Sequence, residues 1–402
     1  MSNARAWVSG SDDLKALWNL DPSITYLNHG AFGGTPVPVL KAQANWILEM
    51  ERGSINFLIR RFPGLLDEHR TYLAKFLNAD PAGLVFVSNA TTGVGAIVES
   101  MGLNAGDEVV ISNHGYHVVR QTLDVCVRER GIVIRTANIP FPCESHDEIV
   151  SAFTSCFTRM TKLVIIDHIA SASAMILPVE DVARKARERG VPVLIDGAHA
   201  PMQIALDLEA LDPDLYVGNL HKWPCAPKGS AFIFANMEWR EKVHPAAPAF
   251  RNAPGYHLRN GYHGEFDWNG TFDPSAWLSV KTALDFFESF GFEAVRESNH
   301  NLVRDARLML AKELGFKLPH PDDRQFYGNM AALEIPVLRG MKAAARAEMS
   351  ARFYDTHKIE IPFMSLDGDR TWLRISAQLY NSFKDYERLA GACLKEFGKS
   401  IS

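Results

Sequence analysis

Seven short apolar runs recur between residues 84 and 234, and Gly, Asp, Asn or Ser residues lie close after them. These runs are Leu84–Val87, Val109–Ile111, Ile132–Ile134, Leu163–Ile166, Val193–Ile195, Leu215–Val217 and Ala231–Phe234. Runs that are apolar throughout are typical of strands covered on both faces. Segments with helical spacing lie between several of them, and the clearest is Asp181–Arg189. The pattern therefore predicts an α/β domain built on a mainly parallel sheet.

The pattern changes near residue 275, where the helices become longer. The elements predicted after this point are two amphipathic helices, a strand, a further helix and a last strand: Trp277–Phe290, Leu302–Leu314, Ala331–Ile335, Met341–Tyr354 and Trp372–Ile375. We predict a large domain at 20–284 and a smaller C-terminal α+β domain at 285–402. We expect residues 1–19 to pack on the smaller domain.

The composition of the chain argues against several kinds of protein and binding partner. Of 402 residues, 47% are hydrophobic and 22% are charged, which allows a sizeable core. The net charge of −5 does not favour nucleic acid or an anionic membrane as a partner. The five cysteines form no CxxC pair, no signal peptide is visible and no apolar run is long enough to span a membrane. We therefore expect a cytoplasmic protein.

Ligands of an open parallel sheet bind at the carboxyl ends of its strands, so the residues after each run are candidates. The segment SNATTG at 88–93 follows Leu84–Val87 and precedes a predicted helix at Val94–Met101. A helix N-terminus offers free N–H groups to a phosphate, and Thr91 and Thr92 add hydroxyl donors. The same segment would also serve as a simple helix cap and turn.

The segment DGAH at 196–199 follows Val193–Ile195. A carboxylate at Asp196 can pair with a pyridinium nitrogen and keep it protonated, and His199 can hydrogen-bond a ring hydroxyl. An aspartate that caps a helix, beside a hydrogen-bonded core histidine, would give the same pattern.

The segment GNLHKW at 218–223 follows Leu215–Val217. A lysine in a tight, partly apolar turn can have a lowered pKa and attack an aldehyde, so Lys222 is a candidate nucleophile. Near the C-terminus, Arg374 lies in the segment LRIS and can bind a carboxylate through two parallel hydrogen bonds. Taken singly, a lysine is more often a solvated surface residue and a buried arginine is often part of a structural ion pair.

The motifs NATTG at 89–93, DGAHAP at 196–201 and GNLHKWPCAPKG at 218–229 are much more specific together than apart. With them the chain resembles the class V aminotransferases, a family of fold-type I enzymes that use pyridoxal 5'-phosphate (PLP) and that includes cysteine desulfurases. Within the family the chain is most similar to the isopenicillin N epimerase-like branch. The resemblance extends from YLNHG at 26–30 to Arg374–Asn381.

The resemblance implies a role for each residue. Lys222 would hold PLP as a Schiff base and then move the α-proton of the substrate as acid and base. Asp196 would pair with the pyridine nitrogen, and His199 would lie near the ring hydroxyl. The phosphate would be bound by Thr91, Thr92 and His221.

The remaining implied positions surround this centre. Tyr116 matches the position that stacks on the pyridine ring, and His168 and Ser171 match a loop that lines the other side of the pocket. Arg374 would bind the substrate carboxylate. The segment NGT at 269–271 resembles one that reaches a phosphate across a dimer interface. The resemblance therefore implies a homodimer in which Thr271 serves the neighbouring site.

The family geometry places Asn28 and His29 on the substrate side, together with Phe57. Arg60 or Arg61 could meet a distal carboxylate, although GSINFLIRRF also fits an amphipathic segment with solvated arginines. Cysteine desulfurases need a loop cysteine before the carboxylate-binding arginine, and the stretch 355–374 contains none. Persulfide-forming desulfuration is therefore not expected, and HKIEIPF resembles epimerase-like and sulfoxide-lyase-like members instead.

The expected substrate is a modified amino acid whose Cα–H bond is broken. We place epimerisation, or loss of a sulfur substituent, ahead of transamination. A metal hydrolase would need His114 with His117, or His257 with His263, and neither pair has a carboxylate in the HExxH arrangement. A non-catalytic binding or regulatory module would not need the intact Lys222, Asp196 and Arg374. We expect no metal in the site.

Overall fold

The computed structural model describes residues 7–247, 261–366 and 368–398. Its strands are β1 (Thr25–Tyr26), β2 (Leu84–Val87), β3 (Glu108–Ser112), β4 (Val133–Ala137), β5 (Thr161–Asp167), β6 (Val193–Asp196), β7 (Leu215–Asn219), β8 (Ala231–Ala235), β9 (Met330–Glu334), β10 (Ile359–Glu360), β11 (Phe363–Met364) and β12 (Trp372–Ser376). Its α-helices are α1 (Asp12–Lys15), α2 (His29–Phe32), α3 (Val37–Glu51), α4 (Phe62–Leu77), α5 (Ala90–Ser100), α6 (His117–Arg130), α7 (His146–Thr154), α8 (Val179–Arg187), α9 (Leu208–Leu211), α10 (Gly261–Asp267), α11 (Ser275–Leu278), α12 (Val280–Glu288), α13 (Phe292–Leu314), α14 (Ala343–Arg352) and α15 (Phe383–Phe397).

The large sheet has seven strands in the order β2-β8-β7-β6-β5-β3-β4. Within it, only β8 runs antiparallel to its neighbours. Every residue of β2, β3, β6, β7 and β8 is buried, as expected for strands covered on both faces. The edge strand β4 differs, because Val133 and Arg135 are exposed. The predicted α/β fold with a mainly parallel sheet is confirmed.

The two faces of this sheet carry separate apolar layers. On one face the rings of Tyr216 and Phe232 stack with centroids 6.1 Å apart. On the other face, Val217 and Ile233 pack against α5. A Cβ atom on Gly93 of α5 would lie 3.1 Å from both side chains. Glycine at this position therefore lets the start of α5 lie close to the carboxyl ends of the strands.

Helix α8 shows how the sequence pattern produces an element. Val182 and Ala186 are buried on one face of the helix. Asp181 lies in the first turn and Arg187 in the last, which is the charge order that the helix dipole favours. The helix begins two residues before the predicted start, and Gly190 follows it with a φ of +67°.

A smaller antiparallel sheet has the order β11-β12-β9, and β1 pairs in parallel with β10. The amide of Gly10 donates to the carbonyl of Leu379 at 2.7 Å, and the indole of Trp7 donates to the carbonyl of Phe290. The N-terminal residues therefore pack against the C-terminal part of the chain. The predicted domain boundary between residues 284 and 285 falls inside α12.

Two predicted helices have different bounds in the structure. The segment Trp277–Phe290 forms α11 and α12, which are separated at Ser279. The Ser279 hydroxyl donates to a backbone carbonyl four residues earlier, a bond that competes with regular helix geometry. The segment Leu302–Leu314 is the second part of α13, which begins at Phe292 after Gly291. No helix in the described part of the chain is long and apolar enough to cross a membrane.

Candidate active site

The segments that follow β2, β6 and β7 meet at one cavity of about 350 Å³. The carboxyl ends of parallel strands share an edge of the sheet, so segments far apart in sequence come together there. The cavity is lined by Ala31, Phe32, Ser88, Asn89, Ala90, Thr91, Tyr116, Asp167, Ile169, Ser171, Asp196, Ala198, His199, Asn219, His221, Lys222, Lys228 and Gly229.

The start of α5 forms one end of the cavity. The Asn89 side chain caps the helix by accepting the Thr92 amide at 2.8 Å, and the Ala90 amide donates to the Asn219 side chain at 2.9 Å. Neither the amide nor the hydroxyl of Thr91 hydrogen-bonds to another described residue. A helix start with free donors fits a phosphate group.

His221 lies at the same cavity, and its Nδ1 lies 3.1 Å from the carbonyl of Ser230. A carbonyl only accepts, so Nδ1 carries the proton and donates. Burial lowers the pKa of His221 to about 4. The ring is therefore neutral, and its Nε2 could take up a proton beside a bound anion.

Lys222 follows β7 and is half-buried in the cavity wall. Burial is the largest cause that lowers its pKa to about 8, and the charge of Asp196 opposes this change. Its Nζ lies 3.0 Å from Nε2 of His199. Burial and the charge of Lys222 hold the pKa of His199 well below its usual range, so His199 is neutral. An amine with this pKa is a far better nucleophile near neutral pH than a solvated lysine.

The segment 28–33 packs against the backbone of the loop that contains Lys222. The carbonyl of Lys222 lies 3.2 Å from Nε2 of His29, whose Nδ1 lies 2.7 Å from the Tyr380 hydroxyl. Gly33 has a φ of +69°, and a Cβ on it would lie 2.2 Å from the carbonyl oxygen of His221. Glycine at position 33 therefore permits the close approach of the two backbones.

Asp196 ends β6, and Asp167 ends the neighbouring strand β5 in register with it. Both carboxyl groups are buried in the cavity wall. Burial raises the pKa of Asp196, although the Ala198 amide donates to it at 3.0 Å. Burial and the neighbouring charge of Asp196 raise the pKa of Asp167 well above its usual range. Two carboxyls this close in a buried wall do not both ionise, so we take Asp167 as the protonated one.

Arg374 of β12 is 3% exposed and lies beside the cavity rather than in its lining. Its guanidinium donates to the Ser171 carbonyl at 2.6 Å and to the Asn28 side chain at 3.1 Å. Burial lowers its pKa to about 10, and no carboxylate of the described residues lies within 4.0 Å of it. A buried cation without a counterion favours the binding of an anion beside it.

Tyr116 and Ser171 line the cavity, but His168 does not. Nδ1 of His168 lies 3.0 Å from the Tyr216 hydroxyl, behind the wall. Burial lowers the pKa of His168 to about 4. His168 therefore supports the wall from the protein side.

Several other predicted residues lie outside the cavity lining. Asn28 and His29 support Arg374 and the lysine loop, and Thr92 is exposed beside the lining residue Thr91. Thr271 is exposed and lies outside the cavity of its own chain. Phe57 is buried in the core.

The distal arginines and the pair His114 and His117 are absent from the cavity lining. Arg60 is absent from the cavity lining, and Arg61 donates to Glu49 at 2.8 Å on the surface. His114 is buried with its Nδ1 3.2 Å from the Ser173 hydroxyl, whereas His117 is exposed. His257 lies outside the described residues. No group of three or more metal-ligating side chains occurs in the described ranges.

Two lining residues with ionisable side chains were not predicted as site residues from the sequence. Asp167 directly follows the apolar run Leu163–Ile166, so the strand-end rule could have found it. Lys228 donates to the Gly33 carbonyl at 3.1 Å, and no described carboxylate lies within 4.0 Å of its Nζ. No local signal marks Lys228, because the contact joins residues 195 positions apart.

A half-buried, partly neutral lysine in one cavity with an acidic strand end, within this α/β fold, defines a PLP enzyme of fold type I. The residues fit the cofactor: Thr91 has free donors for the phosphate, Asp196 would face the pyridine nitrogen, and Lys222 would bond to the aldehyde carbon. When bound, PLP supplies an electron sink for the carbon atom next to the substrate amine. The chain belongs to the class V aminotransferase family, whose model matches residues 29–389.

Known relatives cover almost the whole chain. It is 32% identical to the isopenicillin N epimerase of Amycolatopsis lactamdurans, over 98% of this chain and 100% of that one. It is 28% identical to a probable L-cysteine desulfhydrase of Arabidopsis thaliana, over 96% of this chain and 86% of that one. The fold is similar to that of the cystine C–S lyase C-DES, with a TM-score of 0.80, 17% identity and coverage of 94% and 98%.

Proposed function

We propose that this PLP enzyme removes the α-proton of an amino acid and then expels a sulfur substituent from Cβ. Arg374 holds the substrate carboxylate, and Lys222 is the base. This C–S lyase activity is supported by the similarity to an L-cysteine desulfhydrase and by the amine of Lys222, which lines the same cavity as Asp196. Elimination needs only one base at Cα.

The burial of the Arg374 guanidinium without a nearby carboxylate is the observation from which we infer the class of substrate. A guanidinium that is 3% exposed and has no described carboxylate nearby needs an anionic partner. Ser171 and Asn28 fix its orientation, which leaves the buried Nε without a hydrogen-bond partner. The α-carboxylate of an amino acid supplies the charge and the second acceptor oxygen that a bidentate contact requires.

The proposed elimination needs no oxidant or reductant. The Cα–H bond breaks and the proton passes to Nζ of Lys222, while the electron pair forms a double bond between Cα and Cβ. The Cβ–S bond breaks, and the sulfur leaves with its electron pair and takes a proton. Hydrolysis of the unsaturated product gives a 2-oxo acid and ammonia.

The sulfur is released to solvent rather than passed to a protein thiol. None of the cysteines lines the cavity. Cys225 is the cysteine of the lysine loop, and burial keeps its pKa well above the usual range. A thiol in this state is a poor sulfur acceptor. Released sulfide is therefore the expected product from cysteine.

Epimerisation at Cα is the second candidate, and the similarity to an isopenicillin N epimerase favours it. It shares the removal of the α-proton and differs only in returning a proton to the opposite face of the same carbon. Transamination ranks third because neither relative named above is named for it.

We also propose that the working enzyme is a homodimer. Leu40, Ile47 and Leu48 are exposed on one side of α3, spaced to lie together on the helix surface. Thr271 is exposed and outside its own cavity. A second copy would cover the apolar residues and bring Thr271 toward its neighbour. Light scattering tests this: a monomer at micromolar concentration would contradict the proposal.

The activity test is incubation of the PLP-loaded protein with L-cysteine in D₂O. A C–S lyase gives sulfide and pyruvate in equal amounts, and Lys222→Ala gives neither. An epimerase gives intact cysteine with deuterium at Cα and mixed configuration. If cysteine and cystine both stay unchanged and undeuterated, cysteine-type substrates are excluded and the C–S lyase proposal fails.

A further inference from the structure

Trp223, the residue after Lys222, makes a hydrogen bond to His199 in which donor and acceptor can be assigned. Its indole Nε1 lies 3.4 Å from Nδ1 of His199, and both side chains are buried. An indole N–H can only donate a hydrogen bond. Nδ1 of His199 must therefore be the acceptor, which leaves it without a proton.

The position of the single ring proton then follows. His199 is neutral in its buried site, and a neutral imidazole carries one N–H. With Nδ1 accepting, that proton is on Nε2, which lies 3.0 Å from Nζ of Lys222. A hydrogen bond from Nε2–H to Nζ requires a free lone pair on the amine, so it forms only with neutral Lys222.

We propose that Trp223 is a positioning residue that fixes the Nε2–H form of His199 and thereby favours the neutral, reactive amine of Lys222. An ammonium at Lys222 would instead place N–H groups against N–H of His199. This contact therefore favours the neutral amine over the charged one. The inference rests on the proposed role of Lys222 as the cofactor-binding amine.

The charges around Lys222 do not by themselves favour its neutral form. The ionised carboxylate of Asp196 favours the charged form of Lys222, whereas Arg374 favours the neutral form. Asp167 is protonated and adds no charge. The rings of His221 and His29 are neutral. The charge of Asp196 therefore opposes the neutral amine that catalysis needs, and the contact with His199 acts against that charge.

The geometry also specifies which group faces a bound ligand. His199 lines the cavity, and its Nε2 is the atom beside Lys222. With Trp223 in place, His199 presents an N–H to the cavity rather than a lone pair. That donor suits an oxygen acceptor on the cofactor ring.

Trp223→Phe tests the proposal because it keeps an aromatic ring and removes the donor. Trp18→Phe is the matched control, since the buried indole of Trp18 donates to the Gly34 carbonyl at 2.9 Å, away from His199. Circular dichroism and thermal melting show whether each variant is folded.

The first measurement is ¹⁵N NMR of histidine-labelled, PLP-free protein, with the His199 signals assigned from His199→Gln. We expect the Nε2–H form in the wild type and in Trp18→Phe, and a mixture of the two forms in Trp223→Phe. An Nδ1–H form in the wild type would overturn the proposal, whether or not PLP binds.

The second measurement is the pH dependence of trace acetylation at Lys222, read by peptide mass spectrometry without PLP. We expect the midpoint to rise by about half to one pH unit in Trp223→Phe, as the loss of one hydrogen bond implies. The midpoint should not move in Trp18→Phe. Equal midpoints in the wild type and Trp223→Phe would also overturn the proposal. A failure of the proposed enzyme activity would leave both readouts intact.

Discussion

Asp167 and Asp196 are register partners at the ends of β5 and β6, and both side chains are buried in the same cavity wall. Burial raises the pKa of each, most strongly for Asp167, which also experiences the charge of Asp196. The pair therefore carries a single negative charge near neutral pH. Only the ionised member can pair with a protonated pyridine nitrogen.

This relationship gives opposite expectations for two amide substitutions. Asp167→Asn replaces a neutral acid with a neutral amide, so PLP affinity at pH 7 should stay within about twofold of the wild type. Asp196→Asn removes the charge and should weaken PLP binding by at least about tenfold. Fluorescence titration of the PLP-free variants measures both. Equal losses in the two variants would show that Asp167 is ionised.

Gly33→Ala should destabilise the protein and loosen the lysine loop. The left-handed backbone and the predicted 2.2 Å contact with the His221 carbonyl together cost more than about 2 kcal/mol of unfolding free energy. Gly391→Ala is the matched control, because nothing lies within 4 Å of its Cβ position in α15. That variant should gain about 0.5–1 kcal/mol. Urea unfolding separates the two, and a Gly33→Ala variant as stable as the wild type would contradict the close approach.

Arg374→Gln should act on the substrate and leave the cofactor in place. Loss of the charged contact to the carboxylate should raise KM by about 10- to 100-fold, while the visible spectrum of bound PLP stays unchanged. Steady-state kinetics with L-cysteine tests this, and the corresponding amine without a carboxylate is the control substrate. The KM for this amine should be the same in the wild type and in the variant. A KM for L-cysteine that the substitution leaves unchanged would place the carboxylate elsewhere.

The buried histidines predict a loss of stability in mild acid. Burial lowers the pKa of His29 to about 3 and those of His114, His168, His221 and His320 to about 4. In the unfolded chain these groups take up protons below about pH 6.5, so the free energy of unfolding falls as the pH drops from there towards 4. Each histidine contributes about 1.4 kcal/mol per pH unit.

The raised pKa values of Asp167 and Asp196 act in the opposite direction, because the folded state holds their protons more tightly. Five histidines outweigh two carboxyls, so the urea midpoint should fall clearly between pH 7 and pH 5. Tryptophan fluorescence at each pH measures it. A midpoint that is constant or rises over this range would contradict the neutral state of the histidines.

Much of the site could be predicted because its chemistry follows apolar strands. Asp196 and Lys222 come directly after, or shortly after, buried runs, and the parallel sheet places those strand ends together. The sheet strands themselves were predictable because each contains or overlaps a short apolar run. The same rule extends to Asp167, which ends β5.

Long-range contacts set the limit of the sequence prediction. His29 was expected to face the substrate, but it supports the carbonyl of Lys222, a residue 193 positions away. Lys228 enters the wall through a contact with the equally distant Gly33. The 3.6-residue pattern also continues smoothly through Ser279, where α11 and α12 are separated and the side chain hydrogen-bonds to the backbone.

The most direct measurement is the visible absorption spectrum of PLP-loaded wild type, Lys222→Ala and Lys228→Ala, followed by borohydride reduction and peptide mapping. Lys228 is the control because it is the other lysine of the same cavity. We expect a reducible band in the wild type and in Lys228→Ala, with PLP fixed on the peptide that contains Lys222. Lys222→Ala should show neither the reducible band nor PLP on that peptide. A band that survives in Lys222→Ala, or a wild type that stays colourless with PLP, would contradict the assignment of Lys222 and of the whole site.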